Sequence, residues 1–158
     1  MIKQKSLFLL LLVVTFFGIS CKKSEPYNAK AQLQKDEQLI EAYLEANNIT
    51  ATRHQSGVYY IISNPGSGTV DYTMSTRVNF KYTLRLLGGQ VIPQTTDPIT
   101  FALSELIVGW QIGIPLIQPG GKIRLFVPSV YAYGPGDGRG IPANSVLDFD
   151  IELLNVSY

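Results

Sequence analysis

Between Arg77 and Leu86, Val78, Phe80, Tyr82, Leu84 and Leu86 fall on one side of an extended chain, with Arg77, Asn79, Lys81 and Arg85 on the other. Alternation of this length predicts a half-buried β-strand. The pattern returns from Lys122 to Pro128 and again from Val146 to Val156, where Leu147, Phe149, Ile151 and Leu153 point inward and Asp148, Asp150 and Glu152 outward. Shorter strand-like runs cover Val58 to Ile62, Val91-Ile92 and Ile99 to Leu103. The turn sequences Asn64-Pro65-Gly66-Ser67-Gly68, Gly88-Gly89 and Gln118-Pro119-Gly120-Gly121 separate them. From Ala29 to Asn48 the period becomes helical: Leu33, Ile40, Tyr43 and Leu44 form a narrow apolar stripe, and Lys35, Glu41 and Glu45 a solvated face. Such a helix reads as an N-terminal extension docked loosely on the main fold, with a dimerisation helix as the alternative. A second, shorter helical segment runs to about Gly113, ahead of Pro115, and one turn of it would set Leu106, Ile107 and Trp110 on one face. Trp110, the only tryptophan, is then either the largest core residue of a small β protein or the floor of a pocket. Several strands and one short helix predict an α+β domain built on an antiparallel β-sheet, preceded by the helical extension.

The N-terminus has a different character. Lys3 and Lys5 precede an apolar run from Leu7 to Ile19, which is short against the roughly 20 residues needed to span a bilayer. It ends at Gly18-Ile19-Ser20-Cys21, which resembles a bacterial lipobox, although Gly18 replaces the usual leucine. On this reading residues 1–20 are a lipoprotein signal peptide and Cys21 is the lipidation site. Residues 21–28 form a tether, 29–56 the helical extension and linker, and 57–158 the main domain. The alternative is a secretory signal cut near Ser20 that leaves a free thiol. The lipidated form would sit in the cell envelope, anchored to a bacterial membrane on the periplasmic side or at the cell surface.

Charge and composition narrow the chemistry. Removing Lys3 and Lys5 from the 13 basic residues leaves 11 against 12 acidic ones, so no basic field is available for nucleic acid. His54 is the only histidine and Cys21 the only cysteine, which leaves almost nothing for a His-dependent triad or a zinc site. Asp148 and Asp150 alternate outward on a strand, the pattern of solvated side chains rather than of paired catalytic acids. Gly134-Pro135-Gly136-Asp137-Gly138 lacks the lysine and following helix of a phosphate loop. What remains is an aromatic and aliphatic set, suited to an apolar ligand or to chemistry that moves no proton.

Val108-Gly109-Trp110-Gln111-Ile112-Gly113, Tyr131-Ala132-Tyr133-Gly134, Ile141-Pro142-Ala143-Asn144-Ser145 and Phe149-Asp150-Ile151-Glu152-Leu153-Leu154 occur in that order. Together they resemble the FKBP-type peptidyl-prolyl isomerase domain over Gly57 to Tyr158. The resemblance implies an antiparallel sheet wrapped around one short helix, and isomerisation of X-Pro bonds in proline-containing polypeptides without metal or organic cofactor. It implies catalytic roles for Tyr82 as aromatic wall, Ile107 as backbone N–H donor, Trp110 as floor, Tyr133 as hydroxyl donor and Phe149 as apolar contact. Substrate-binding positions would be Ile92, Ile99, Leu106 and Ile141, with Phe101 a core aromatic beside the pocket. Three departures stand out. Ile92-Pro93 replaces the usual phenylalanine-aspartate pair, Ile99 replaces a wall aromatic, and the loop position often held by histidine falls near Gly136 or Asp137. They imply a wider, less aromatic pocket, reduced activity, and macrolide binding weakened by Pro93. With the anchor, the expectation is a folding catalyst for exported proteins. The alternatives are a proline-binding chaperone or assembly module with little turnover, and a purely structural lipoprotein.

Overall fold

The long alternating runs pair with one another, because each buries one face and leaves its backbone groups in need of partners. In the computed structural model, which describes residues 26–93, 95–136 and 140–158, seven strands form one antiparallel sheet. They are β1 (Thr52–Arg53), β2 (Tyr59–Asn64), β3 (Arg77–Leu86), β4 (Val91–Ile92), β5 (Ile99–Ala102), β6 (Lys122–Val127) and β7 (Leu147–Ser157). Their order is β1-β2-β6-β7-β3-β4, and β5 also pairs with β3, opposite its N-terminal half. The central pair β3 and β7 runs from Arg77↔Ser157 to Leu86↔Leu147, with a bulge at Asn79/Phe80. The segment expected to be a signal peptide, and Cys21, lie outside the described residues. Among the described residues no helix is long and apolar enough to cross a membrane.

One face of the sheet carries the main core. Val78, Phe80, Leu84, Ile123, Leu125, Val127, Leu147, Phe149, Ile151 and Leu153 are all buried there. Against them lies α2 (Val108–Gly113), one and a half turns long, followed by a 3₁₀ turn at Ile114–Leu116. The helix comes close because its contact face lacks side chains. A methyl at Gly109 would collide with Val127 Cγ1, and one at Gly113 would stand 2.5 Å from Leu125 Cδ1. Both neighbours are fully buried on β6 and have nowhere to move. Gly109→Ala therefore overpacks the interface by more than the roughly 1 kcal/mol that alanine contributes to a helix. A net loss of about 1–2 kcal/mol is expected in urea unfolding.

The other face is covered in part by α1 (Ala29–Ala46), capped by the Asn28 side chain, which accepts from Ala31 N–H at 3.0 Å. Ile40 and Leu44 join Tyr59, Phe126 and Val146 in a second buried cluster, and Tyr43 packs against the Phe126 ring. The expectation of a loosely docked extension is corrected here: Ile40 and Leu44 are buried, and Asp36, a fully buried carboxylate at helical spacing from Leu33 and Ile40, extends their stripe. Glu41 is exposed, as the polar face predicts, and also accepts from the Tyr59 hydroxyl at 2.6 Å. Asp148 is also corrected. Although it alternates outward, it is 1% exposed, because Arg124 and Arg85 close over it on the face that α1 shelters.

Candidate active site

The inward alternation of β3 sets Phe80, Tyr82 and Leu84 along one wall, and β7 adds Phe149 from the adjacent strand. Trp110 rises between them from α2. Phe80, Tyr82 and Phe149 all pack edge-to-face with its indole, at centroid separations of 4.7, 5.2 and 5.2 Å and interplanar angles of 68°, 87° and 86°. Edge-to-face pairs of this kind contribute about 0.5–1.5 kcal/mol each beyond burial, and three around one ring hold it in a single orientation. Above them opens a cleft of about 420 Å³, within the range of small-ligand sites.

Nine of the ten pocket residues expected from sequence line this cleft: Tyr82, Ile107, Trp110, Tyr133, Phe149, Ile99, Phe101, Leu106 and Ile141. Ile92 does not. It pairs with Leu84 on the short edge strand β4 and packs, partly buried, against the main core beside that lining residue. Phe101 lines the cleft but is no core residue; on edge strand β5 it is 42% exposed and stands at the rim. Leu106 and Ile107 reach the cleft without belonging to the helix. Their backbones are extended, with ψ of 159° and 150°, and the Ile107 carbonyl accepts from Trp110 and Gln111 N–H as the cap of α2. Gln111 Nε2 donates to the Leu106 carbonyl at 2.8 Å and fixes the approach to that cap. Phe80, Leu84 and Glu105 are lining residues that the sequence reading missed. The first two share the inward face of Tyr82, so the alternation already held their signal. Glu105 accepts from Ala102 N–H at 2.7 Å, a local turn contact with no periodic signature.

The polar groups of the cleft are few. Ile107 N–H has no acceptor among the described residues, nor has the buried Trp110 Nε1–H. The Tyr133 hydroxyl likewise makes no bond to a described residue. Three donors thus stand around an apolar hollow. Among the described residues no three or more histidine, cysteine, aspartate or glutamate side chains are grouped to hold a metal ion. Outside the cleft, burial first, then the Glu41 hydrogen bond, pushes Tyr59 up to about 12, and burial pushes Tyr72 up to about 12. A raised pKa contributes stability that is complete below the ordinary tyrosine value near 10 and is lost as pH climbs toward 12. Alkaline sensitivity on these grounds belongs to the fold, not to the cleft.

The FKBP-type peptidyl-prolyl cis-trans isomerase family model matches residues 68–154. FkpA of Buchnera aphidicola subsp. Schizaphis graminum, an FKBP-type peptidyl-prolyl cis-trans isomerase, is 35% identical over 141 residues, 87% of this chain and 54% of that protein. FkpA of Escherichia coli is 35% identical over 139 residues, 82% of this chain and 51% of its own length. The chain thus spans about half the length of these curated relatives. The crystal structure of Escherichia coli FkpA superposes with a TM-score of 0.68 and 31% identity, covering 81% of this chain and 64% of that one. A peptidyl-prolyl cis-trans isomerase from Pseudomonas syringae gives the same TM-score at 29% identity, covering 85% of this chain and 99% of that one. The sheet, the indole it surrounds and the matched stretch all point the same way, and this chain belongs to the FKBP-type peptidyl-prolyl cis-trans isomerase family.

Proposed function

We propose that this protein isomerises X-Pro peptide bonds of exported polypeptides, held at a bacterial membrane by a lipid on Cys21. The observation that carries the reading is the cleft, a largely apolar hollow lined by Trp110 with unpaired donors, whose one lining carboxylate, Glu105, is engaged by the Ala102 N–H. Rotation about a peptide bond meets a barrier of about 18–20 kcal/mol because amide resonance is lost, and X-Pro exchange takes tens to hundreds of seconds unaided. A planar amide is more dipolar than a twisted one. Moving it from water into a dry pocket therefore raises the planar ground state more than the twisted transition state. Ile107 N–H and the Tyr133 hydroxyl hold the flanking chain while Trp110, Tyr82, Phe149 and Ile141 supply the apolar surround. Lowering the barrier by about 5–7 kcal/mol gives four to five orders of magnitude.

The reading is tested on a short X-Pro peptide series by NMR exchange or a conformer-selective coupled assay. Acceleration that saturates with peptide is expected, and kcat/KM should stay flat from about pH 6 to 9, since no group gains or loses a proton in the step. A bell-shaped profile in that window would overturn the mechanism. Pro93 favours a second reading, a module that holds proline segments with little turnover. The residue is exposed and stands where the family usually has an aspartate, so a polar partner for ligand is missing, and the same loss argues for weak macrolide binding. Suppression of client aggregation without peptide isomerisation would select that reading. Anchoring rests on the Lys3 to Cys21 sequence, and a Cys21→Ala variant should leave the membrane fraction.

A further inference from the structure

We propose that Asp36, on the N-terminal helix, is a positioning residue for the cleft, setting the turn that carries Tyr133. It rests on the reading that the Tyr133 hydroxyl holds substrate. Asp36 is 0% exposed, and a buried carboxylate is costly unless its lone pairs are met. Here they are: Gln32 Nε2 donates to Oδ1 at 2.7 Å, and both Ser129 N–H and Ser129 Oγ–H donate to Oδ2, at 2.8 and 2.6 Å. Only Gln32 belongs to the same helix. The other two bonds tie α1 to a residue 93 positions away, at the start of the 3₁₀ turn Ser129–Tyr131.

Adhesion alone does not call for this arrangement. Ile40 and Leu44 already seal the helix to the sheet, and an apolar side chain at position 36 would do so without burying a charge. A pair of charge-assisted bonds converging on one oxygen adds direction: it fixes where Ser129 lies and how its peptide is turned. That matters because the Ser129 carbonyl accepts from Ala132 N–H at 3.0 Å and from Gly134 N–H at 2.8 Å, the two residues that bracket Tyr133. Gly134 sits in the left-handed region at φ 63°, and its own carbonyl accepts from Asn144 N–H at 2.8 Å. The Tyr133 backbone is therefore held at both ends, and the hold passes through Ser129 to Asp36. Loss of Asp36 frees the turn to shift, and the hydroxyl loses its place at the cleft edge.

The test measures KM and kcat separately for an X-Pro peptide with the full chain, at a temperature where circular dichroism shows each variant folded. Asp36→Ala should raise KM about fivefold with kcat nearly unchanged, as loss of a placed donor does. Ser129→Ala, which deletes one of the three bonds, should show a smaller rise. Asp36→Asn, which keeps an acceptor for Ser129, should restore KM to within about twofold of the parent. Ile40→Ala loosens the same helix without touching the carboxylate and should leave KM within about twofold. In a Tyr133→Phe background, Asp36→Ala should add nothing further to KM. Equal shifts from Asp36→Ala and Ile40→Ala, or an Asp36→Ala effect that persists beside Tyr133→Phe, would overturn the positioning role. If Tyr133→Phe alone leaves KM at the parent value, the reading of Tyr133 itself fails and this proposal falls with it.

Discussion

Trp110→Leu is expected to lower kcat/KM for an X-Pro peptide by about 100-fold, a loss of about 2.7 kcal/mol of transition-state stabilisation. The reason is geometric. The indole packs edge-to-face with Phe80, Tyr82 and Phe149 at once, so it shapes the cleft floor and also fixes the three rings that form the walls. Leucine is smaller, cannot replace three edge-to-face contacts, and leaves the walls free to close over the space. The substitution also costs stability, about 3 kcal/mol for truncating a large buried aromatic. Rates must therefore be compared at equal folded concentration. Phe101→Ala is the companion variant: its ring stands 42% exposed at the rim, so the fold is spared, and a threefold to fivefold rise in KM of about that size is expected from lost apolar contact. Because Trp110 is the only tryptophan, its emission should respond to a saturating proline peptide in the parent protein. An unresponsive indole, or a Trp110→Leu variant as fast as the parent, would remove the cleft from the reaction.

The fold was legible wherever a strand buries a single face. Val78 to Leu86 and Leu147 to Leu153 alternate strictly, and the structure turns the same residues inward that the alternation selects. Most of the cleft follows from this, since Tyr82 and Phe149 are members of those inward sets and Trp110 is fixed by the short helix between them. Pattern reading failed where a residue acts through something other than its polarity. Asp36 lies on an apolar stripe and Asp148 on an outward face, yet both are buried, because each carboxylate is matched by donors distant in sequence. Gly113 reads as the end of a helix and Gly109 as no more than a member of it, but both serve as the contact surface against β6, a role that only the close approach of the helix to the sheet discloses. Ile92 stands in line with a family pocket position, but on the short edge strand it packs beside Leu84 without itself lining the cleft.

Arg124→Leu is expected to cost about 3 kcal/mol and to lower the melting temperature by about 6–12 °C for a chain of this size. Arg124 holds Asp148 through two parallel bonds, Nε to Oδ1 at 2.9 Å and Nη2 to Oδ2 at 2.8 Å, while Arg85 approaches the same carboxylate only at 3.7 Å. Arg85 is committed to Asp150, at 2.6 Å, so it compensates the buried charge in part at most. The Asp148 hydrogen bonds, opposed by burial and aided by the charge of the same carboxylate, raise the Arg124 guanidinium above its ordinary value. An upward shift on a base contributes stability that is intact below the unfolded-state pKa and is lost only as pH rises through the folded one. For an arginine that window lies beyond ordinary working conditions, so the pair stabilises evenly across neutral pH. The Arg124→Leu deficit should accordingly show no dependence on titration of the arginine itself. A double variant, Arg124→Leu with Asp148→Leu, removes the stranded charge together with its partner and should recover most of the loss. Thermal melts of the two single variants and the double variant decide the matter. If the double variant is as unstable as the sum of the singles, the pair is packing material rather than a charge matched under the helix.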